Sequence, residues 1–232
     1  MTKTRSRAGK KGRLVLVVLA VMALIPVTGV LLHAVVPPFV TLLMAREAFA
    51  GHGMDYRWRS LNQISPHLAT AAIAAEDARF CEHAGFDMEA IEKALKSNEA
   101  GGRIRGGSTI SQQTAKNVFL WPGRDWVRKG FEAGYTVMIE TVWPKRRIME
   151  VYLNVAEMGP GVFGAEAAAR HWFGKSAADL TPREAARIAA ILPSPRRYDA
   201  GAPGPYVRRR AAQVQANARI VRNDGLADCV LR

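Results

Sequence analysis

Gly106-Gly107-Ser108-Thr109-Ile110-Ser111-Gln112-Gln113-Thr114-Ala115-Lys116-Asn117 reads as a tight glycine turn running into a capped helix. Glycine admits backbone conformations closed to other residues, Ser108 and Thr109 are capping types, and free amides at a helix start attract anions. Behind the cap, Gln112, Gln113, Lys116 and Asn117 fall three and four apart, the spacings at which helical side chains meet. Such a cluster of donors suits a phosphate-bearing ligand. Two motifs that the stretch imitates are excluded. From Gly102 to Gly107 the spacing copies a Walker loop, but Ser108 stands where its lysine belongs. Gly106 to Ile110 lacks the closing glycine of a nucleophile elbow, and no histidine is placed to complete a triad.

On either side of this stretch the chain reads as helix after helix. Ser65-Pro66 is a helix start, and the stripe Leu68, Ala72, Ala75, Arg79 leads into Glu76-Asp77. Both acids then fall near a helix C-terminus, where the dipole disfavours negative charge, which a purely structural sequence rarely chooses. Asp87 can cap a helix with Met88, Ile91, Ala94 and Leu95 on its apolar face; Ser97 to Gly107 is expected as a mobile basic loop. A helix from Asp125 carries Val127, Phe131, Tyr135 and Met138 on one face and Arg128 and Glu132 on another. Further helices start at Pro144 and at the capping box Thr181-Pro182-Arg183-Glu184, and a last one closes at Asn223-Asp224-Gly225. Strand-like alternation is scarce, so the fold class is expected to be mainly α.

Net charge is +13 over 232 residues, and six of the cations (Lys3, Arg5, Arg7, Lys10, Lys11, Arg13) stand in a head, 1–13, that holds no acid. The excess points to an anionic partner, and no nucleic-acid motif accompanies it. Leu14 to Val36 is almost wholly apolar, long enough to cross roughly 30 Å of hydrocarbon as a helix. This segment, 14–36, is expected as a transmembrane helix, with the basic head cytoplasmic and the remainder outside. Residues 37–60 then form a linker and membrane-proximal segment, and 61–232 the globular domain. A signal peptide cleaved at Ala48-Phe49-Ala50 competes, but its apolar region is too long and the site too far downstream. Cys81 and Cys229 are too few for a disulfide framework, and nothing in their spacing demands a bridge; both are expected as thiols.

Four stretches occur in an order that resembles the peptidoglycan glycosyltransferases, the family shared by monofunctional biosynthetic transglycosylases and class A penicillin-binding proteins. They are Glu76 to Asp87, the Gly-Gly-Ser-Thr block, Arg128 to Glu132, and Lys145 to Asn154. The resemblance covers most of residues 60–200. It implies a lysozyme-like, two-lobed domain on an N-terminal transmembrane helix at the bacterial inner membrane, polymerising lipid II into β-1,4 glycan with inversion and releasing undecaprenyl pyrophosphate. It implies Glu76 as the base on the acceptor's 4-hydroxyl, with Asp77, Phe80 and His83 in support, and Glu132 as a second essential glutamate beside Arg128 and Lys129. It further implies that Lys116 and Arg124 hold donor phosphates and that Ser108, Thr109, Gln112, Gln113 and Asn117 line the cleft. A divalent cation such as Mg²⁺ is allowed by the resemblance alone, since no metal-ligand spacing accompanies it. Other cell-wall synthases are possible partners, and with the given sequence ending at Arg232 a monofunctional enzyme is expected.

The residues carry the same chemistry independently. Displacing an anomeric pyrophosphate needs a base for the attacking hydroxyl and cations for the leaving phosphates. The alanine-rich surroundings of Glu76 would desolvate a carboxylate and raise its pKa. Plainer readings stand beside these. Arg128, Lys129 and Glu132 could be an intrahelical salt-bridge cluster, His83 a structural histidine, Lys145-Arg146-Arg147 a solvated face; Glu150, Tyr152 and Asn154 read as structure and packing. A lytic muramidase would share the scaffold but has no use for the Lys116, Arg128 and Lys129 cations, and a non-catalytic, membrane-tethered binder of anionic glycolipid would not need Glu76.

Overall fold

The computed structural model describes residues 12, 13, 17, 21, 24–99, 107–123 and 125–232. Gly106, Arg124, most of the basic head and most of the apolar stretch 14–23 lie outside that set. The expected loop 97–107 lies there too for the greater part.

Helices dominate. After α1 (residues 24–33) come α2 (Leu42–Phe49), α3 (Pro66–Glu76), α4 (Met88–Glu99), α5 (Ile110–Phe119), α6 (Trp126–Val142), α7 (Lys145–Val155), α8 (Gly164–Phe173), α9 (Pro182–Ile191), α10 (Pro205–Asn223) and α11 (Asp228–Leu231). Their starts follow local chemistry. Thr109 and Thr181 close capping boxes with Gln112 and Glu184, and Asp125 accepts from the Arg128 amide. Ser65 departs from the pattern: its hydroxyl donates to the Leu180 carbonyl at 2.8 Å instead of capping α3. A small sheet went unread in the sequence because its strands are two or three residues long, too short to alternate. It runs β1 (Asp55–Tyr56), β3 (Val162–Phe163), β2 (Glu157–Gly159), parallel then antiparallel. Gly161 permits this crossing: its φ is +68°, and a Cβ there would lie 2.3 Å from the His52 carbonyl oxygen.

Two helical groups pack separately, α3 with α9 and α10, and α5 with α6 and α7. In the second group α7 is buried from Ile148 to Val155, apart from Glu150 at its edge. Its basic start is no solvated face. Lys145 donates to the His83 carbonyl at 2.6 Å and to Glu140 at 2.8 Å, and Arg146 donates to the Val230 carbonyl and Asn62. Arg147 reaches the His33 and Val36 carbonyls at 3.0 Å, satisfying acceptors that the end of α1 leaves open. Glu150 and Asn154 hold the backbone of Leu61 and Arg59.

The N-terminal segment is built into this body. Val30 is buried and its carbonyl accepts from the Trp143 indole at 2.8 Å. In α2, Met44 joins the core. Burial raises the Glu47 pKa, but hydrogen bonds from Arg196, His52 and Arg46 outweigh that and hold it at about 2. Residues 37–60 thus contribute α2 and β1 to the domain. Among the described residues no helix is long and apolar enough to cross a membrane, and eight positions of the expected span, 14–16, 18–20, 22 and 23, lie outside them.

The cysteines correct the sequence reading. Cys81 and Cys229 are joined in a disulfide, with Cα atoms 5.7 Å apart across a sequence separation of 148. Spacing along the chain carried no sign of it, because Cys81, in the loop after α3, meets Cys229 of α11 only in the tertiary fold.

Candidate functional site

Glu76 ends α3, and its side chain is only 13% exposed. One carboxylate oxygen accepts from the Gln113 amide of α5 at 2.9 Å; the other faces the Arg210 guanidinium of α10 at 3.9 Å. Burial pushes its pKa up, against the pull of Gln113, Arg210 and Lys116, and the neighbouring Asp77 adds to the rise. A carboxylate kept from water, with a single direct donor, is a proton acceptor poised above the usual acid range.

Asp77 plays a different part. Its carboxylate binds His83 Nε2 at 2.8 Å and accepts from the Ile110 amide at 3.0 Å. The helix start of α5, read as a seat for a ligand phosphate, therefore holds the protein's own anion. That also answers the dipole conflict, since Asp77 leaves the end of α3 for the favourable start of α5. Thr109 and Gln112 complete the same helix start through their capping box, and the Thr109 hydroxyl donates to the Gly85 carbonyl at 2.7 Å. Both are buried. Phe80, wholly buried, stacks edge-on to His83 and lies 4.5 Å below the Lys145 ammonium.

Glu132, on α6, is buried between two cations of its own helix: Arg128 donates to one carboxylate oxygen at 2.6 Å and Lys129 to the other. Lys129 also approaches Ser108 at 3.4 Å. Lys116 of α5 makes no hydrogen bond or ion pair among the described residues. Burial lowers its pKa, Glu132 and Glu76 pull it back, and Arg128 and Lys129 push it further down. It is thus within electrostatic reach of both glutamates. Beside it a cavity of about 310 Å³ is lined by Lys116, Asn117, Leu120, Trp121 and Arg46.

The structure thus brings Glu76, Gln113, Lys116, Asn117 and the Arg128–Lys129–Glu132 triad to one region, keeps Asp77, Phe80, His83, Thr109 and Gln112 as its framework, and leaves Arg124 outside the described residues. Two neighbours of Glu76 were not read as site residues. Arg210 closes the run Arg208-Arg209-Arg210 at the edge of the buried stripe Val207, Ala211, Val214, and only that edge position could have distinguished it. The Tyr152 hydroxyl of α7 is fully buried without a partner among the described residues, and burial, together with Glu76 and Asp77, raises its pKa. Among those residues no three carboxylates, imidazoles or thiols converge on a cation position. Both Asp77 oxygens are engaged, by His83 and by the Ile110 amide.

A family model described as Transglycosylase matches residues 45–219. Among curated proteins, the chain is 57% identical to a biosynthetic peptidoglycan transglycosylase of Caulobacter vibrioides, over 94% of this chain and 95% of that one. A protein of the same description from Rhodospirillum centenum is 57% identical over 92% and 93% of the two chains. One from Xanthomonas campestris is 56% identical over 81% and 79%.

Proposed function

This chain belongs to the transglycosylase family, and on that premise we propose that it polymerises lipid II into β-1,4-linked glycan, with Glu76 as the general base. The desolvated, amide-held carboxylate of Glu76, with a lysine nearby that has no ion-pair partner among the described residues, is the observation that carries this reading.

In the reaction the acceptor's 4-hydroxyl gives its proton to Glu76 as its oxygen attacks the anomeric carbon of the donor strand. The bond from that carbon to the pyrophosphate oxygen breaks, undecaprenyl pyrophosphate leaves, and configuration inverts. Lys116 supplies charge to the leaving phosphates from the wall of its cavity, where among the described residues no carboxylate pairs with its ammonium. Arg128 and Lys129 stand behind it, held in place by Glu132. Arg210 faces the base from α10, within the same helical group, and is suited to orient the acceptor. The two groups, α3–α9–α10 and α5–α6–α7, correspond to the two lobes of a lysozyme-like cleft.

Anchoring by an uncleaved helix over 14–36 belongs to the same proposal. Cleavage after Ala50 would remove α2 and with it Met44 and Glu47, both buried in the domain, and the family match begins before that point. The disulfide suits an oxidising compartment outside the cytoplasm. Exposed apolar side chains on α6 (Trp126, Val127, Phe131) and α2 (Leu42, Phe49) favour a domain resting on the lipid surface.

The deciding experiment is glycan formation from labelled lipid II by the purified protein and by Glu76→Gln. Polymer from the wild type and its loss in the variant are expected. Release of soluble fragments from sacculi would favour a muramidase, and lipid II binding without polymer a glycolipid binder.

A further inference from the structure

The loop after α3, residues 77–87, carries Asp77, Phe80 and His83, and its ties to the body are unevenly distributed. Asp77 and Gly85 bond to the start of α5 at 3.0 and 2.7 Å, and the His83 carbonyl bonds to Lys145 at the start of α7 at 2.6 Å. Those ties hold the loop against one helical group. Cys81, between Phe80 and His83, is joined instead to Cys229 of α11. At four residues α11 is too short to persist as a helix without outside support. It is seated by the buried Val230, by Arg146 on the Val230 carbonyl, and by this bond.

We propose that the Cys81–Cys229 disulfide is a positioning device for the general base, making full catalytic rate conditional on an oxidised bond. The inference rests on Glu76 being that base. Glu76 adjoins the first residue of the loop, so the loop's seating decides how much water reaches its carboxylate. With the bond open, α11 and the loop are released from each other, while the loop keeps its hydrogen bonds to α5 and α7. Both cysteines are half-buried, within reach of a small thiol. The groups facing Glu76 are Gln113 and Lys116 from α5, Arg210 from α10, Tyr152 from α7 and Asp77 beside it. None of these is removed by reduction, so a change in the base's titration reports on burial.

The test compares oxidised wild type, wild type reduced by dithiothreitol, and the double variant Cys81→Ser/Cys229→Ser in the lipid II assay. It is run well below the unfolding temperature, with thiols counted by alkylation; the chain has two cysteines, so no other bridge interferes. Reduction should lower kcat about tenfold, part of the ~10²–10⁴ that general-base catalysis contributes. KM for lipid II should hold, the acid limb of the rate profile should move toward lower pH, and reoxidation should restore the wild type alone. Reduced wild type with both thiols titrated but an unchanged kcat and acid limb would overturn the proposal. So would a double variant that melts earlier yet keeps the wild-type pH profile, since the bond would then serve stability alone. Should the oxidised wild type make no polymer, the polymerase reading fails, and this proposal with it.

Discussion

Glu76, largely buried, and Glu132, fully buried, lie in contrasting surroundings, and the proposed reaction gives them different work. Glu76 has one amide donor and an arginine 3.9 Å away, so its charge is poorly compensated and burial raises its pKa. Glu132 is clasped by Arg128 and Lys129 from its own helix. A carboxylate left short of partners is available to a proton; one saturated with cations is a structural counter-ion that fixes where those cations point. Alanine-rich sequence before Glu76 and an Arg-Lys pair before Glu132 make that contrast.

The largest effect expected is from Glu76→Gln. Size and the Gln113 contact are kept while the proton acceptor is lost, so polymerisation should fall by roughly 10²–10⁴-fold with donor binding little changed. Near-wild-type elongation by the variant, with its mass verified, would remove the distinction between the two glutamates.

Glu132→Gln should fail differently. Unpairing the buried Arg128 costs about 3–5 kcal/mol of stability, the figure for breaking a buried ion pair, and loosens both cations. Melting temperature, rate and affinity for a pyrophosphate-bearing ligand should all drop together. A variant that lost rate alone would place Glu132 in the chemistry instead.

The helices were legible because they are written in local pattern: a proline start at Pro66, the capping box at Thr181-Pro182-Arg183-Glu184, a spacing of four between Arg128 and Glu132. Sequence reading misplaced the phosphate seat at the start of α5 because the anion that fills it, Asp77, comes from another helix end. The Cys81–Cys229 bond and the approach of Arg210 to Glu76 were unreadable for the same reason, being contacts across long sequence separations. Lys145-Arg146-Arg147 looked like a solvated run because charge alone does not say which carbonyls it will reach.

Rate against pH sharpens the comparison further. The base must be ionised, so activity is lost as pH falls through the raised pKa of Glu76, and the acid limb should stand above the ordinary carboxylate range. At the other end Lys116 must stay charged, and burial lowers its pKa, so activity is lost as pH rises through that value. Lys116→Arg should keep part of the rate and flatten the alkaline limb, since guanidinium does not deprotonate there, while leaving the acid limb in place. An alkaline limb identical in the variant would detach Lys116 from the leaving group. The same burial gives Glu76→Gln a stability signature. A carboxyl whose folded pKa is raised contributes stability below its unfolded pKa and loses it as pH rises through the folded value. At neutral pH Glu76 therefore opposes folding, and the inactive variant should melt higher than the wild type.

The smallest effect concerns Tyr152, whose hydroxyl is wholly buried without a partner among the described residues and lies within electrostatic reach of Glu76 and Asp77. A buried hydroxyl that makes no hydrogen bond opposes folding by about 1–3 kcal/mol, so Tyr152→Phe, which keeps the ring packing of α7, should leave stability unchanged or raise it slightly. The alternative is a buried water bridging the hydroxyl to the carboxylates, in which case the substitution strands that water and stability falls by a similar amount. Chemical denaturation of the variant separates the two, because the sign of the change differs. Acid-limb position then separates the two glutamates once more: a water bridge to Glu76 would shift the limb on substitution, whereas an isolated hydroxyl leaves it where it was.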